Sequence, residues 1–99
     1  MSPRTITVEG VVYDLSSPAD LALAQAALDT IFPLVRVRVE VARTRLLEAR
    51  RRVTEAQETG FVPISAEVEL EAADRAMDDA TLDEEVVDDL LWRVAAALP

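Results

Sequence analysis

The chain has 99 residues and a formal net charge of -9 at pH 7, and it contains neither cysteine nor histidine. A domain of this length buries a modest core. Without thiols or imidazoles, disulfides, thiolate chemistry and the usual zinc and transition-metal sites are excluded, because carboxylates alone suit harder cations. All 10 basic residues are arginine and asparagine is absent. We interpret this bias as that of a high-GC bacterium or its phage, in preference to a haloarchaeon.

Two further absences concern location. No apolar run approaches the roughly 18 residues that a membrane span needs. The amino-terminal residues 1–10 also lack the apolar core of a signal peptide. We therefore expect a cytoplasmic protein, or one within a phage particle, with no membrane partner.

The first predicted element is a β-hairpin over residues 5–15. Apolar and polar residues alternate on both sides of Glu9-Gly10, and glycine suits the second position of a two-residue turn. This register pairs Val8 with Val11 and Ile6 with Tyr13, with all four on one face. Val12 lies on the other face. A lone hairpin is marginal in water, so its apolar face must pack on a helix or its edges must accept another strand.

A long helix is predicted over residues 18–59, with Ser17 as its N-cap. The segment after Pro33 alternates valine and arginine like a strand, but only the helical interpretation explains the whole run. Its apolar positions are spaced 4, 3, 4, 3, 4, 3 and form the heptad seam Val35, Val39, Ala42, Leu46, Ala49, Val53 and Ala56. The same seam extends back through Pro33, so the helix is either kinked or broken there.

Two shorter helices are predicted after a stop at Gly60. The first covers residues 65–80 with Ser65 as its cap, and the second covers 82–98 after a capping box at Thr81 and Glu84. Alanine occupies every second seam position in the helices on both sides of Gly60, which lets antiparallel helices approach closely. The fold class is therefore mainly α, a single domain over 1–99 with a small amino-terminal hairpin.

Charge is distributed unevenly along the chain. Residues 1–54 carry a net charge of +2, from 8 arginines and 6 acids; residues 55–99 carry -11, from 2 arginines and 13 acids. We expect the arginines after Pro33 to face the acidic helix that follows, with each exposed pair stabilising by under about 1 kcal/mol. Phosphate binding by Arg50, Arg51 and Arg52 is disfavoured because the chain is acidic and poor in aromatic residues.

The residue types predict a non-enzymatic protein without a cofactor, metal ion or small-molecule substrate. No histidine or lysine is present to activate a hydroxyl nucleophile, and two glycines provide no phosphate-binding loop. The carboxylates are neighbours on helical surfaces and do not face each other across a cleft. The spacing of an EF-hand is also absent.

What remains is a protein-protein interaction module, such as a structural subunit, adaptor or regulator in a bacterial or phage assembly. Its candidate contacts are apolar residues outside the main seam, namely Leu34, Val37, Val41, Val12, Phe61 and Val62. Either the β-hairpin covers the Leu34, Val37 and Val41 stripe, or a homo-oligomer or another protein does.

The alternative is an acidic inhibitor, a DNA mimic or an antitoxin-like regulator. It would bind the phosphate-contacting surface of a nucleic-acid-binding protein, without binding nucleic acid directly. Its candidate acidic surface consists of Asp78, Asp79, Asp83, Glu84, Glu85, Asp88 and Asp89. The simpler interpretation of this run is a solvated helix start, where acids favour the helix dipole.

Overall fold

The computed structural model describes residues 4–99. Residues 1–3, part of the amino-terminal segment 1–10 that is predicted to lack the core of a signal peptide, lie outside the described residues. The element order is β1 (Thr5–Val8), β2 (Val11–Asp14), α1 (Pro18–Glu58) and α2 (Ile64–Ala97). The chain is mainly helical with an amino-terminal β-hairpin, so the predicted mainly α fold class with a small hairpin is confirmed.

The hairpin has the predicted antiparallel register, with Ile6 opposite Tyr13 and Val8 opposite Val11. Glu9 and Gly10 both have positive φ, at 49° and 81°. A two-residue turn of this kind matches the right-handed twist of the strands. Ile6 and Val8 are buried, whereas Val11 is exposed despite lying on the same face. The buried face of the hairpin is therefore provided mainly by β1.

Side-chain hydrogen bonds shape the connection between β2 and α1. The Ser16 backbone N–H and hydroxyl both donate to Asp14 Oδ1, at 2.9 and 2.6 Å. The Asp14 N–H donates to Asp20 Oδ2 at 3.0 Å, and the Asp20 N–H donates to the Ser17 hydroxyl at 3.4 Å. Ser17 thus caps α1 as predicted. The hydrogen bonds from Ser16, assisted by the charge of Arg4, hold the pKa of Asp14 below its ordinary value.

Helix α1 is continuous through Pro33, so the alternative of a break at that residue is wrong. Pro33 has no N–H to donate to the carbonyl of Asp29, which costs the helix one hydrogen bond. The heptad spacing explains why the helix continues. Leu28 and Val35 are both buried and lie seven residues apart, so the apolar face keeps its phase across the proline.

The turn after α1 is a Schellman motif. Gly60 has a φ of 84°, its N–H donates to the Gln57 carbonyl at 3.0 Å, and the Phe61 N–H donates to the Ala56 carbonyl at 3.2 Å. The predicted glycine stop is confirmed. Helix α2 then begins at Ile64, with the Pro63 carbonyl accepting the first hydrogen bonds. Ser65 therefore lies in the first turn and is not the predicted cap.

The two predicted helices after Gly60 form the single helix α2, so the boundary expected at Thr81 and Glu84 is wrong. The seam explains the difference. Ala80 and Val87 are buried seven residues apart, with Glu84 half-buried between them at the intervening seam position. Threonine costs only a few tenths of a kcal/mol inside a helix, and no glycine or proline interrupts this region. The capping-box pattern therefore did not end the helix.

The described residues divide into two compact units, one of residues 4–34 with 84–99 and one of residues 35–83. In the first unit, the buried residues are provided by the hairpin and by parts of both helices; they are Ile6, Val8, Leu15, Leu21, Ala24, Leu28, Val87 and Val94. Trp92 of α2 and Leu98, just after its end, are exposed. The second unit is a helical hairpin, and it contains the candidate site.

Candidate functional site

The helical hairpin of residues 35–83 is held together by the two alanine-rich seams. Val39 and Ala42 pack with Ala80, and Leu46 and Ala49 pack with Ala73. Partly buried Met77 contacts both clusters, and Leu70 contacts the second. The predicted antiparallel packing of the two alanine-rich seams is therefore present in this unit. Alanine at these positions lets the helix backbones lie close together.

One side of this hairpin carries an open groove of about 360 Å³. Its floor is formed by Ala42 of α1 and by Ala76 and Ala80 of α2. Val37 and Val41 extend the apolar surface across α1, and they are 59% and 63% exposed. The part of the groove between the charged side chains is therefore apolar.

Opposite charges flank the two sides of the groove. Arg38 and Arg45 lie on the α1 side, and Asp79 and Asp83 lie on the α2 side. All four are exposed, and within residues 4–99 none of them forms an ion pair shorter than 4.0 Å. The groove thus combines an apolar floor with two charges of each sign.

Other arginines of the hairpin are paired within the chain. Arg52 Nη1 lies 2.9 Å from Glu69 Oε1, and Arg50 Nη2 lies 3.9 Å from Asp74 Oδ1. These two pairs join α1 to α2, as the charge distribution predicts. Arg43 and Arg51 instead pair with glutamates of α1 itself. The acidic side chains of α2 are thus only partly neutralised by α1, and the charges beside the groove are among those left over.

The remaining predicted apolar contacts lie elsewhere. Leu34 is exposed on α1 in the first unit, and Val12 is exposed on β2. Phe61 is exposed and Val62 is half-buried in the turn after α1. Phe61 contributes to the Schellman motif through its backbone N–H, which does not account for its exposed side chain. Of the six predicted residues, the groove contains Val37 and Val41.

The predicted acidic surface follows one continuous helix but does not form a single patch. Its members are exposed, except for half-buried Glu84. Asp79 and Asp83 line the groove, whereas Asp89 pairs with Arg93 at 3.2 Å. Helical spacing places Asp78 and Glu85 on another face. The groove therefore brings together part of the predicted apolar surface and part of the predicted acidic surface.

Three groove residues were not predicted to belong to a binding surface, namely Arg38, Arg45 and Ala76. A signal for the arginines is present, because they are seven residues apart, like the seam residues Ala42 and Ala49, and therefore occupy one face. Which side of α2 they would approach depends on the handedness of the helix packing. The spacing of residues in the sequence does not determine this handedness.

Other classes of site lack the residues that they need in the described part of the chain. Among residues 4–99, no group of three or more acidic side chains is placed to hold a metal ion. Neither α1 nor α2 contains a stretch long and apolar enough to cross a membrane. No protein-family model, curated protein or solved structure matches the chain.

Proposed function

We propose that the protein is a non-enzymatic interaction module, a structural subunit, adaptor or regulator in a bacterial or phage assembly. The observation that carries this proposal is the groove of the helical hairpin, whose apolar floor and exposed Val37 and Val41 are flanked by two arginines and two aspartates. Single exposed apolar residues are ordinary, but an apolar groove bordered by charged residues is typical of an interaction site. The apolar residues supply the affinity, and the charges select the partner and its orientation.

Photo-cross-linking from the groove tests this proposal. A photoreactive amino acid replaces Val41, and a control variant carries it at Val68, which is also an exposed valine of the hairpin but lies outside the groove. In cells of the source organism, Val41 is expected to give a discrete protein adduct that is absent from Val68. Equal labelling from both positions, or none from Val41, contradicts the proposal.

The acidic inhibitor is the second candidate, and one observation favours it. Helix α2 is continuous through the whole run from Asp78 to Asp89, so its carboxylates are displayed at regular helical intervals and, apart from Glu84, are exposed. Such an array resembles a row of phosphates in charge. Its partner would be a nucleic-acid-binding protein with a basic surface.

Salt concentration separates the two candidates. An interface between carboxylates and arginines weakens steeply from low to physiological ionic strength, whereas apolar helix packing holds or tightens. A partner captured through the Val41 groove is expected to stay bound in high salt. A DNA-binding protein that elutes in moderate salt, and whose binding is insensitive to Val41→Asp, supports the inhibitor instead.

A further inference from the structure

We infer that the groove of the helical hairpin binds a second copy of this chain, through a two-fold axis parallel to the helices that places α1 of each copy on α2 of the other. This inference rests on the proposed function and specifies its partner. A closed two-fold dimer requires that the same surface be complementary to itself. The groove meets this requirement in charge, with two arginines beside α1 and two aspartates beside α2.

The positions of the charges along the helices also match. Ala42 packs in one cluster with Ala80, and Ala49 packs in the next cluster with Ala73. Two residues that lie at the same height along the hairpin, one in each helix, therefore have residue numbers that add up to about 122. Arg38 is therefore level with residue 84, and Arg45 with residue 77. At a rise of about 1.5 Å per residue, Asp83 and Asp79 lie within roughly 3 Å of those heights.

The charges distinguish between the two ways of placing such grooves face to face. With the two-fold axis parallel to the helices, heights are preserved and α1 lies on the partner's α2, so each arginine side meets an aspartate side. With the axis perpendicular to the helices but within the interface, α1 lies on α1 and arginines meet arginines. Like charges across an interface cost several kcal/mol. The first arrangement, an antiparallel four-helix packing, is therefore selected.

The chemistry of the floor fits the same arrangement. Ala42, Ala76 and Ala80 leave room for a helix to approach closely, and Val37 and Val41 provide the larger side chains that fill the space. No in-chain ion pair within residues 4–99 competes for the four flanking charges at 4.0 Å or less. A second copy supplies both the apolar surface and the opposite charges.

Reciprocal charge reversal tests the inference with purified protein. One variant carries Arg38→Glu and Arg45→Glu, and the other carries Asp79→Arg and Asp83→Arg. The control carries Glu67→Arg and Glu71→Arg, two exposed acids of α2 that have the same four-residue spacing but lie outside the groove. Sedimentation velocity gives the assembly state, native mass spectrometry separates homodimers from heterodimers, and circular dichroism checks folding.

The native chain and the control are expected to dimerise. Each groove variant is expected to dimerise about 100-fold or more weakly, because like charges now face each other. An equimolar mixture of the two groove variants is expected to restore a dimer that contains one copy of each. If either reversal unfolds the chain, the neutral pairs Arg38→Gln with Arg45→Gln and Asp79→Asn with Asp83→Asn are used, each expected to weaken dimerisation without unfolding.

Three results overturn the inference. The first is a native chain that remains monomeric up to about 1 mM, a weak-binding limit. The second is that the groove variants dimerise as tightly as the native chain. The third is that the two groove variants are folded but their mixture stays monomeric. A monomeric native chain removes the second copy as partner but leaves the proposed function intact, because cross-linking from Val41 to a different protein tests that function separately.

Discussion

Replacing Leu46 by alanine tests whether the seam between α1 and α2 holds the helical hairpin together. Leu46 is 8% exposed and packs with Ala49 and Ala73, whereas its neighbour Leu47 is 58% exposed. Removing a buried leucine side chain costs about 2–5 kcal/mol, depending on how far the site can collapse. Half-buried Leu70 and Met77 border this cluster and can move toward the space, so we expect a loss of about 2–3 kcal/mol.

Leu47→Ala is the matched control, because it changes the same side chain one residue away in the same helix. Any difference in helix propensity between leucine and alanine then cancels in the comparison. We expect the control to change stability by no more than about 0.5 kcal/mol. In thermal unfolding followed by circular dichroism at fixed protein concentration, Leu46→Ala is expected to lower the Tm by roughly 10–20 °C. Equal losses in the two variants would refute the packing described for this seam.

Leu46→Asp and Leu70→Asp are expected to unfold or dissociate the protein, because each places a charge without a partner in the seam. Leu34→Asp, at an exposed position outside the groove, is expected to leave folding nearly unchanged, as measured by circular dichroism. Gly60→Ala is expected to cost about 1–2 kcal/mol in chemical denaturation, because its φ of 84° disfavours a side chain although space is open, and Gly60→Asn is expected to cost less. The pKa of Asp14 is lowered in the folded state. The ionised carboxylate therefore stabilises the fold at pH values above the ordinary pKa of aspartate, and this stabilisation is lost as the pH falls through the pKa of the folded state. The difference in Tm between the native chain and Asp14→Asn is expected to shrink below pH 3.8.

The hairpin and the first helix start were predictable because local chemistry determines them. Glu9-Gly10 sits between two alternating segments, and the observed pairing of Ile6 with Tyr13 is the predicted one. Gly60 likewise ends α1 through its own positive φ. At such positions one or two residues decide the backbone conformation, and no distant contact is needed to override them.

The helix boundaries at Pro33 and at Thr81 were not determined by local signals. A proline and a capping box both favour a break, yet the apolar phase continues across each of them and both helices run through. Burial of a continuous seam exceeds the cost of one missing hydrogen bond or one threonine. Extending the count from Ala80 through Glu84 to Val87 would have predicted the single helix.

The groove was predictable only in part. Val37 and Val41 were identified from their position outside the seam, and Asp79 and Asp83 from the acidic run. Their meeting at one groove depends on which sides of α1 and α2 face the same direction, a consequence of three-dimensional packing. The position of these charged residues beside an apolar floor could therefore be identified only from the folded hairpin.

Light scattering of the native chain as a function of concentration tests most directly whether a second copy covers the groove. The weight-average mass is expected to rise from 10.8 kDa toward twice that value and then to level off, as in a closed two-fold dimer. Val41→Asp is expected to stay near 10.8 kDa at concentrations where Val68→Asp still dimerises. A native mass that stays at 10.8 kDa throughout, or equal dimerisation of the two variants, would contradict the account.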